Sequence, residues 1–436
     1  MTAAASLRKG WCPGALRPMP AKDGFLVRLR ISGGALSAVA MRRLAQAGRD
    51  HGNGLFDLSS RANLQMRGVS ERSLPLLRKM LDDLGLLDQD AEAEAIRNVL
   101  ASPLAGLDAP IDVRSIARSL EAALVRETEL HGLPGKFGFL IDDGGALSLA
   151  HVPADVRFDY SAERDAFAVR TGGSAREAAF LCDCEPRDVV DIALRLARAF
   201  MRLGLSMREP PRRMRELVAE CGPASIAKAA GLSLAPAPEP EPLAEPCPIG
   251  LIRLEQETYS FGVGAAFGRL DAAMLETIAD AAAIFGQDEI RLTPWRAILL
   301  PFVDAGRDKA LRAHFAAENF IIDAADPRLA VAACGGAPAC ERGSTPTHAD
   351  ALSLASIARR LQETGVALHV SGCVKGCARQ AATAYTLVAN AGRYDLIQDG
   401  TAQDASPMQG LTLAQAQSVL EAIALKKELA RELEFS

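Results

Sequence analysis

Apolar positions along the chain recur with two periods. The runs at 25–31 (FLVRLRI) and 259–263 (YSFGV) read as strands, and 37–47 and 271–284 carry apolar residues at helical spacing. The runs at 64–69 and 298–303 are β-like again. Strand, helix and strand therefore follow one another twice. At an offset of 234 residues, Leu36, Leu44, Leu58, Leu64 and Val69 fall on Leu270, Ile278, Leu292, Ile298 and Val303, with apolar character kept at each position. This predicts an internal repeat of an α+β unit.

Each copy is followed by a longer segment of mixed character. Ile116, Leu120 and Leu124 recur at helical spacing, as do Val189, Ile192, Leu196, Phe200 and Leu203, and a strand-like run at 137–141 ends in Asp-Asp-Gly-Gly. Between the halves, 235–246 (APAPEPEPLAEP) alternates Pro with acidic residues, which favours extended, solvated chain. The expected layout is a ferredoxin-like half-domain at 10–75, a mixed α/β domain at 90–234, a Pro-rich linker at 235–246, a second half-domain at 247–310 and a second mixed domain at 325–436. The fold class is α+β, two ferredoxin-like half-domains alternating with two mixed domains.

Length and charge narrow the function. The 436 residues suffice for two to four domains with sizeable cores. Lys and Arg total 49 against 54 Asp and Glu, a net charge of -5, so a generally basic nucleic-acid-binding protein is not expected. Any anionic partner must meet a local basic pocket. No apolar stretch is long enough to span a bilayer, and the N-terminal MTAAASLRKGWCPG lacks an apolar signal core, so the expectation is a cytoplasmic protein with no membrane partner.

The nine cysteines are unevenly placed. Four form Cys334-x5-Cys340 and Cys373-x3-Cys377, while Cys12, Cys182, Cys184, Cys221 and Cys247 are scattered and read as packing residues. An all-thiolate set suits zinc or an iron–sulfur cluster. Zinc ribbons use closer pairs, so the wider spacing favours a [4Fe–4S] cluster, and the small residues of CGGAPAC and SGCVKGC let backbone approach a bulky group. Three cations stand where loops meet strands: Arg61 in SSRANLQMRGV, Arg97 in AIRNVLASPLAG and Lys136 in LPGKFGFLI. Such junctions can converge charge on carboxylates. The second repeat sets Trp295 opposite Arg61, with Arg296 beside it as a further candidate for binding substrate. Gly262, Gly264 and Gly268 have the wrong spacing for a dinucleotide fingerprint.

These motifs, in this order, resemble the nitrite and sulfite reductase superfamily over most of the chain. The resemblance implies Cys334, Cys340, Cys373 and Cys377 as [4Fe–4S] ligands, and Arg61, Arg97 and Lys136 around the active-site anion and tetrapyrrole. The sequence departs from the sirohaem reductases in two places. Their Pro-Arg-Lys-Phe-Lys is here Pro134-Gly135-Lys136-Phe137-Gly138, and their Cys-Pro-Asn-Gly-Cys is Cys373-Val374-Lys375-Gly376-Cys377. Loss of Arg and Lys removes volume and charge, as suits a larger organic substrate. SGCVKGCARQAATAYTLVANAGRYDLIQDG and RLTPWRAILLP are most similar to the aerobic cobalamin branch, the precorrin-3B synthase family. That likeness implies hydroxylation of precorrin-3A at C20 with γ-lactone formation, using O2 and NADH-derived electrons from a separate reductase. It also implies a mononuclear non-haem iron, whose ligands are not evident among His51, His131, His151 and His369. Two alternatives stay open: a sirohaem-dependent sulfite or nitrite reductase, and a non-catalytic iron–sulfur tetrapyrrole carrier.

Overall fold

The computed structural model describes residues 12–107, 109–239, 243, 245–254, 257–362 and 364–434. The N-terminal 1–11 and, within the Pro-rich stretch, 240–242 and 244 lie outside these; 235–239 form neither helix nor strand. Tertiary contacts divide the chain into two units. One runs to Met19 and takes in Leu26–Gly262 and Asp271–His314; the other comprises Pro20–Phe25, Val263–Leu270 and the chain from Phe315 onward.

The repeat is real in detail. In the first copy the helix Ala38–His51 leads into antiparallel strands Leu55–Leu58 and Leu64–Val69, with Leu58 opposite Leu64. In the second, the helix Ala272–Phe285 leads into Glu289–Leu292 and Ala297–Val303, with Leu292 opposite Ile298. All ten apolar residues matched at the repeat offset are buried. The helix caps match too: Ser37 accepts from the Ala40 N–H at 3.1 Å, and Asp271 from the Met274 N–H at 2.9 Å. Left-handed backbone recurs at Gly34 and Gly268, Gly54 and Asp288, Ala62 and Arg296, and Gly68 and Phe302. Backbone path has been kept where glycine has not, since only the turn geometry is needed to return the strand.

The strand that precedes each cap adds something the periodicity did not show. Ala35–Ser37 leaves its own copy and pairs antiparallel with the second copy's Glu289–Leu292, Ser37 opposite Glu289. The Ala38 N–H donates to Asp288 O at 3.1 Å, and the Ala272 N–H to Gly54 O at 2.9 Å, one bond made in both directions. The two repeat helices pack on each other, with Arg42–Asp280 and Arg49–Glu276 ion pairs between them. Each helix packs on strands of its own copy and more extensively on the other helix, so the repeats fold as one body.

The first mixed sheet has parallel strands Val99–Ala101, Phe139–Asp142 and Ala154–Ser161, followed by antiparallel Ala166–Gly173 and Ala179–Cys184. Helices Val113–Arg126, Val189–Leu205 and Met214–Ala229 supply its core, in which Phe137, Phe139, Phe158, Phe167 and Phe200 are buried. Cys184 belongs to this core, and burial pushes its thiol up to about 12, as befits an inert packing residue.

The second unit repeats the same topology. Val331–Ala333, Leu368–Ser371 and Thr383–Asn390 run parallel, followed by antiparallel Arg393–Gly400 and Met408–Leu411, with helices Thr347–Leu361 and Leu413–Glu434 packed on the core. Among the described residues no helix is long and apolar enough to cross a membrane.

Candidate functional site

In the second unit the four clustered cysteines sit at the carboxyl ends of two neighbouring parallel strands. Cys334 follows Val331–Ala333 and Cys373 follows Leu368–Ser371, the edge of an open sheet where ligands are ordinarily received. The Gly372 N–H donates to Cys334 Sγ at 3.1 Å, so backbone already points at one sulfur. The CGGAPAC loop turns back on itself, with the Cys340 N–H on Gly336 O at 2.8 Å and the Ala337 N–H on Thr345 O at 2.8 Å. Gly336 has φ +54°, and a Cβ there would stand 2.7 Å from Thr345 O and 2.3 Å from Thr347 Oγ1. Thr347 Oγ1 in turn donates to Cys334 O. Beneath the loop, Tyr394 hydrogen-bonds both Thr345 and Asp350, all three buried, which makes the floor rigid.

The four thiols share one electrostatic environment. Burial pushes the Cys377 thiol up, Lys375 opposes, and Cys334, Cys373 and Cys340 reinforce the rise. Mutual repulsion of thiolates is what a bound cation relieves. Among the described residues no three His, Cys, Asp or Glu side chains are grouped to hold one metal ion. A cubane takes each cysteine on a different iron, so four thiols spread around a glycine-lined cradle fit it, whereas a single tetrahedral zinc ion asks for tighter convergence. The four histidines near the motifs lie in different parts of the fold. His51 lies in the last turn of Ala38–His51, His131 hydrogen-bonds Val125 O at 3.1 Å, His151 lies 3.9 Å from Glu245, and His369 is buried within Leu368–Ser371.

The basic residues belong to the first unit. In the strand Gly24–Leu29, Val27 and Leu29 face the core, which by strand alternation places Arg28 and Arg30 together on the other face. Arg30 is 5% exposed. Burial first, then the neighbouring Arg28, lowers its guanidinium to about 10. Arg61 donates from Nη2 to Lys136 O at 2.7 Å, joining two of the sequence motifs. Burial also lowers the Arg61 guanidinium; Arg213 and Arg28 act in the same sense, and Cys12 and Asp155 oppose them. Arg213 is itself held by Asp155, at 2.9 Å from Nη2, and Asp155 also accepts the Gly138 N–H at 2.9 Å. Arg28, Arg30, Arg61 and Arg213 thus form one cationic group, costly to gather and suited to a multiply charged anion.

Other expected residues lie differently. Arg97 turns away and is gripped by Asp88, at 2.6 Å and 2.7 Å, and by Glu121 at 3.4 Å, so its donors serve the fold. Its neighbour Asn98 accepts from Arg30 and donates to Gly135 O at 3.3 Å, which ties IRNV to LPGKF. Lys136 is exposed. Arg296 is half-buried at a left-handed turn, and Trp295, also half-buried, packs against the two apolar clusters that contain Leu104 and Leu254 and Leu140 and Leu149. At Gly135 and Gly138 a Cβ would meet nothing closer than 3.6 Å, so their bareness leaves room and is not forced by the backbone. Gly262 has the opposite reason: a Cβ would stand 1.9 Å from Pro248 O. The sequence reading passed over Arg28 and Arg30, although two arginines at strand period beside a buried valine and leucine were visible in FLVRLRI. It could not have found Arg213 or Cys12, which reach the site only through the fold.

Comparison with known proteins agrees with this architecture. Residues 17–84 and 252–317 match the model of the nitrite/sulfite reductase ferredoxin-like half domain. A precorrin-3B synthase from Sinorhizobium sp is 32% identical over 406 residues, covering 91% of this chain and 84% of that protein. A "Sulfite reductase [ferredoxin]" of Mycobacterium tuberculosis is 27% identical over 81% of this chain and 68% of its own length. The solved structure of Mycobacterium tuberculosis NirA protein superposes with a TM-score of 0.76 at 22% identity, over 91% of this chain and 79% of that one, a likeness of fold. The relatives are oxidoreductases, and at this identity and coverage the chain belongs to the precorrin-3B synthase family of the nitrite and sulfite reductase superfamily.

Proposed function

We propose that this chain is an iron–sulfur monooxygenase that hydroxylates precorrin-3A at C20 with γ-lactone formation, using O2 and NADH-derived electrons delivered by a separate reductase. The observation that carries the reading is the group of four arginines beside two bare glycines, a site with charge for several carboxylates. Arg61 and Arg30 hold acetate and propionate groups, a contact that orients as well as binds. Arg28 and Arg213 supply field from the flanks. Arg97 acts at one remove, keeping the loop before Asn98 in place through Asp88 and Glu121. Lys136 closes the site from the exposed side, and Arg296 is the cation the second repeat contributes.

Cys334, Cys340, Cys373 and Cys377 hold a [4Fe–4S] cluster, which when bound supplies electrons singly. No set of residues for a mononuclear iron is evident among the described residues, so no step is assigned to one. A second reading, a sirohaem-dependent sulfite or nitrite reductase, is favoured by the similarity to sulfite reductase over 81% of the chain. A non-catalytic tetrapyrrole carrier would share the arginines but turn nothing over.

The deciding experiment supplies the reconstituted protein with precorrin-3A, a reductant and isotopically labelled O2. One labelled oxygen in a hydroxylated lactone is expected. Purification with bound sirohaem and reduction of sulfite would overturn the reading in favour of a reductase, and a bound but unchanged tetrapyrrole would overturn it in favour of a carrier.

A further inference from the structure

Cys12 lines a small cavity with Gly14, Arg17, Arg30, Glu94 and Gly135. The segment that follows it is pinned: Ala15 and Leu16 donate their N–H groups to Glu94, and Arg78 donates to Ala15 O at 3.2 Å and Leu16 O at 3.0 Å. The anchored chain carries Cys12 Sγ to the bare face of Gly135, where a Cβ would lie 3.6 Å from the sulfur. The space left by the absent side chain is therefore shared with a thiol. Arg30 lines the same cavity as Cys12 and Gly135. Arg30 Nε, on a side chain that is 5% exposed, has no hydrogen-bond partner. A buried guanidinium N–H left unmatched costs on the order of 1–3 kcal/mol, and a ligand acceptor removes that cost.

We propose that Cys12 is a modifiable thiol built into the basic site, where it stands beside Arg30 in the ligand-free chain and gives way to a carboxylate ligand. The displacement half rests on the reading that this site takes carboxylates; the location of the thiol does not. The ligand class is a polycarboxylate, and the matching covalent reagents are soft electrophiles that carry an anionic group.

The test uses the full chain and follows alkylation at each cysteine by peptide mass analysis. In each reaction a carbon–sulfur bond forms, the carbon–iodine bond breaks, iodide leaves and the thiol proton passes to solvent. The exposed Cys247 is the internal control. The ratio of iodoacetate to iodoacetamide labelling is expected to be about tenfold higher at Cys12 than at Cys247, because arginines draw the anionic reagent. Uroporphyrin, an octacarboxylate macrocycle, at about ten times its Kd should slow Cys12 labelling about tenfold and leave Cys247 unchanged. Equal reagent ratios at the two cysteines would overturn the placement of Cys12 among the arginines. Undiminished Cys12 labelling under saturating uroporphyrin, with uroporphyrin binding abolished by Arg30→Gln, would overturn the displacement and leave the carboxylate reading intact. Uroporphyrin binding unaffected by both Arg30→Gln and Arg61→Gln would overturn the carboxylate reading, while the reagent ratio still decides the place of Cys12. The wild-type measurements stand even if a variant misfolds.

Discussion

Cys334 and Ser102 hold the same station in the two mixed domains. Each is the first residue after its sheet's first parallel strand, and each accepts a backbone N–H from the loop after the second: Gly372 to Cys334 Sγ at 3.1 Å, Asp143 to Ser102 Oγ at 2.9 Å. In the first copy the loops close on themselves, since Ser102 also donates to Asp142 at 2.7 Å. In the second, sulfur replaces oxygen, and glycines replace the residues that would fill the gap. The same pair of loops is a hydrogen-bonded staple in one copy and, under the proposed function, a cluster cradle in the other.

The two stations should fail differently. Cys340→Ala or Cys377→Ala is expected to abolish bound iron and sulfide and the broad visible absorbance, whereas Cys184→Ala leaves all three in place. Iron and sulfide analysis of the purified variants checks this.

Ser102→Ala should leave cluster content unchanged and cost stability. Ser102 is 1% exposed, and its loss strips a hydrogen bond from both Asp142 and the Asp143 N–H. Leaving buried polar groups unmet costs about 1–3 kcal/mol, measurable as a lower denaturant midpoint with an unchanged slope.

Arg30 is expected to reduce the stability of the empty chain. Its guanidinium is lowered below its ordinary value, to about 10, by burial and by Arg28, so folding disfavours the charged form. The cost is therefore fully present below about pH 10 and fades as pH rises from there toward the ordinary guanidinium range. At neutral pH Arg30→Met should stabilise the protein by about 1–3 kcal/mol, after allowance for the lost Asn98 contact, while uroporphyrin binding is lost. Thermal unfolding with and without uroporphyrin measures both.

Arg97 should behave as a structural residue. Its ion pair with Asp88 is 13% and 11% exposed on the two side chains, and removing one partner leaves the other charged and buried. Arg97→Ala or Asp88→Ala should each cost about 3 kcal/mol, and the double variant clearly less than the sum. A double-mutant cycle with tetrapyrrole affinity as second readout would show coupling in stability and little direct loss of affinity.

Much of this was legible in one dimension. The repeat could be read from Leu36 to Val69 against Leu270 to Val303 because burial repeats with the backbone, and apolar spacing records burial. The four cysteines stand out in the sequence because cluster ligation demands a residue type as well as a place, and their role as ligands belongs to the proposal. The motifs put Arg61 and Lys136 forward as candidates, but the contact between them is to a carbonyl, which no residue identity encodes.

Tertiary structure alone decided the rest. Ala35–Ser37 pairs with the other copy because a three-residue strand has too little pattern of its own to choose a partner, and the packed helices place Glu289–Leu292 beside it. Arg97 looked like Arg61 in sequence and differs only in having Asp88 and Glu121 brought to it. Cys12 looked like any stray cysteine until Glu94 and Arg78, far along the chain, fixed the segment that bears it. Spacing along the chain determined which residues are buried and marked four thiols as a set; charge acts through space, so which cations gather was decided only when distant segments met.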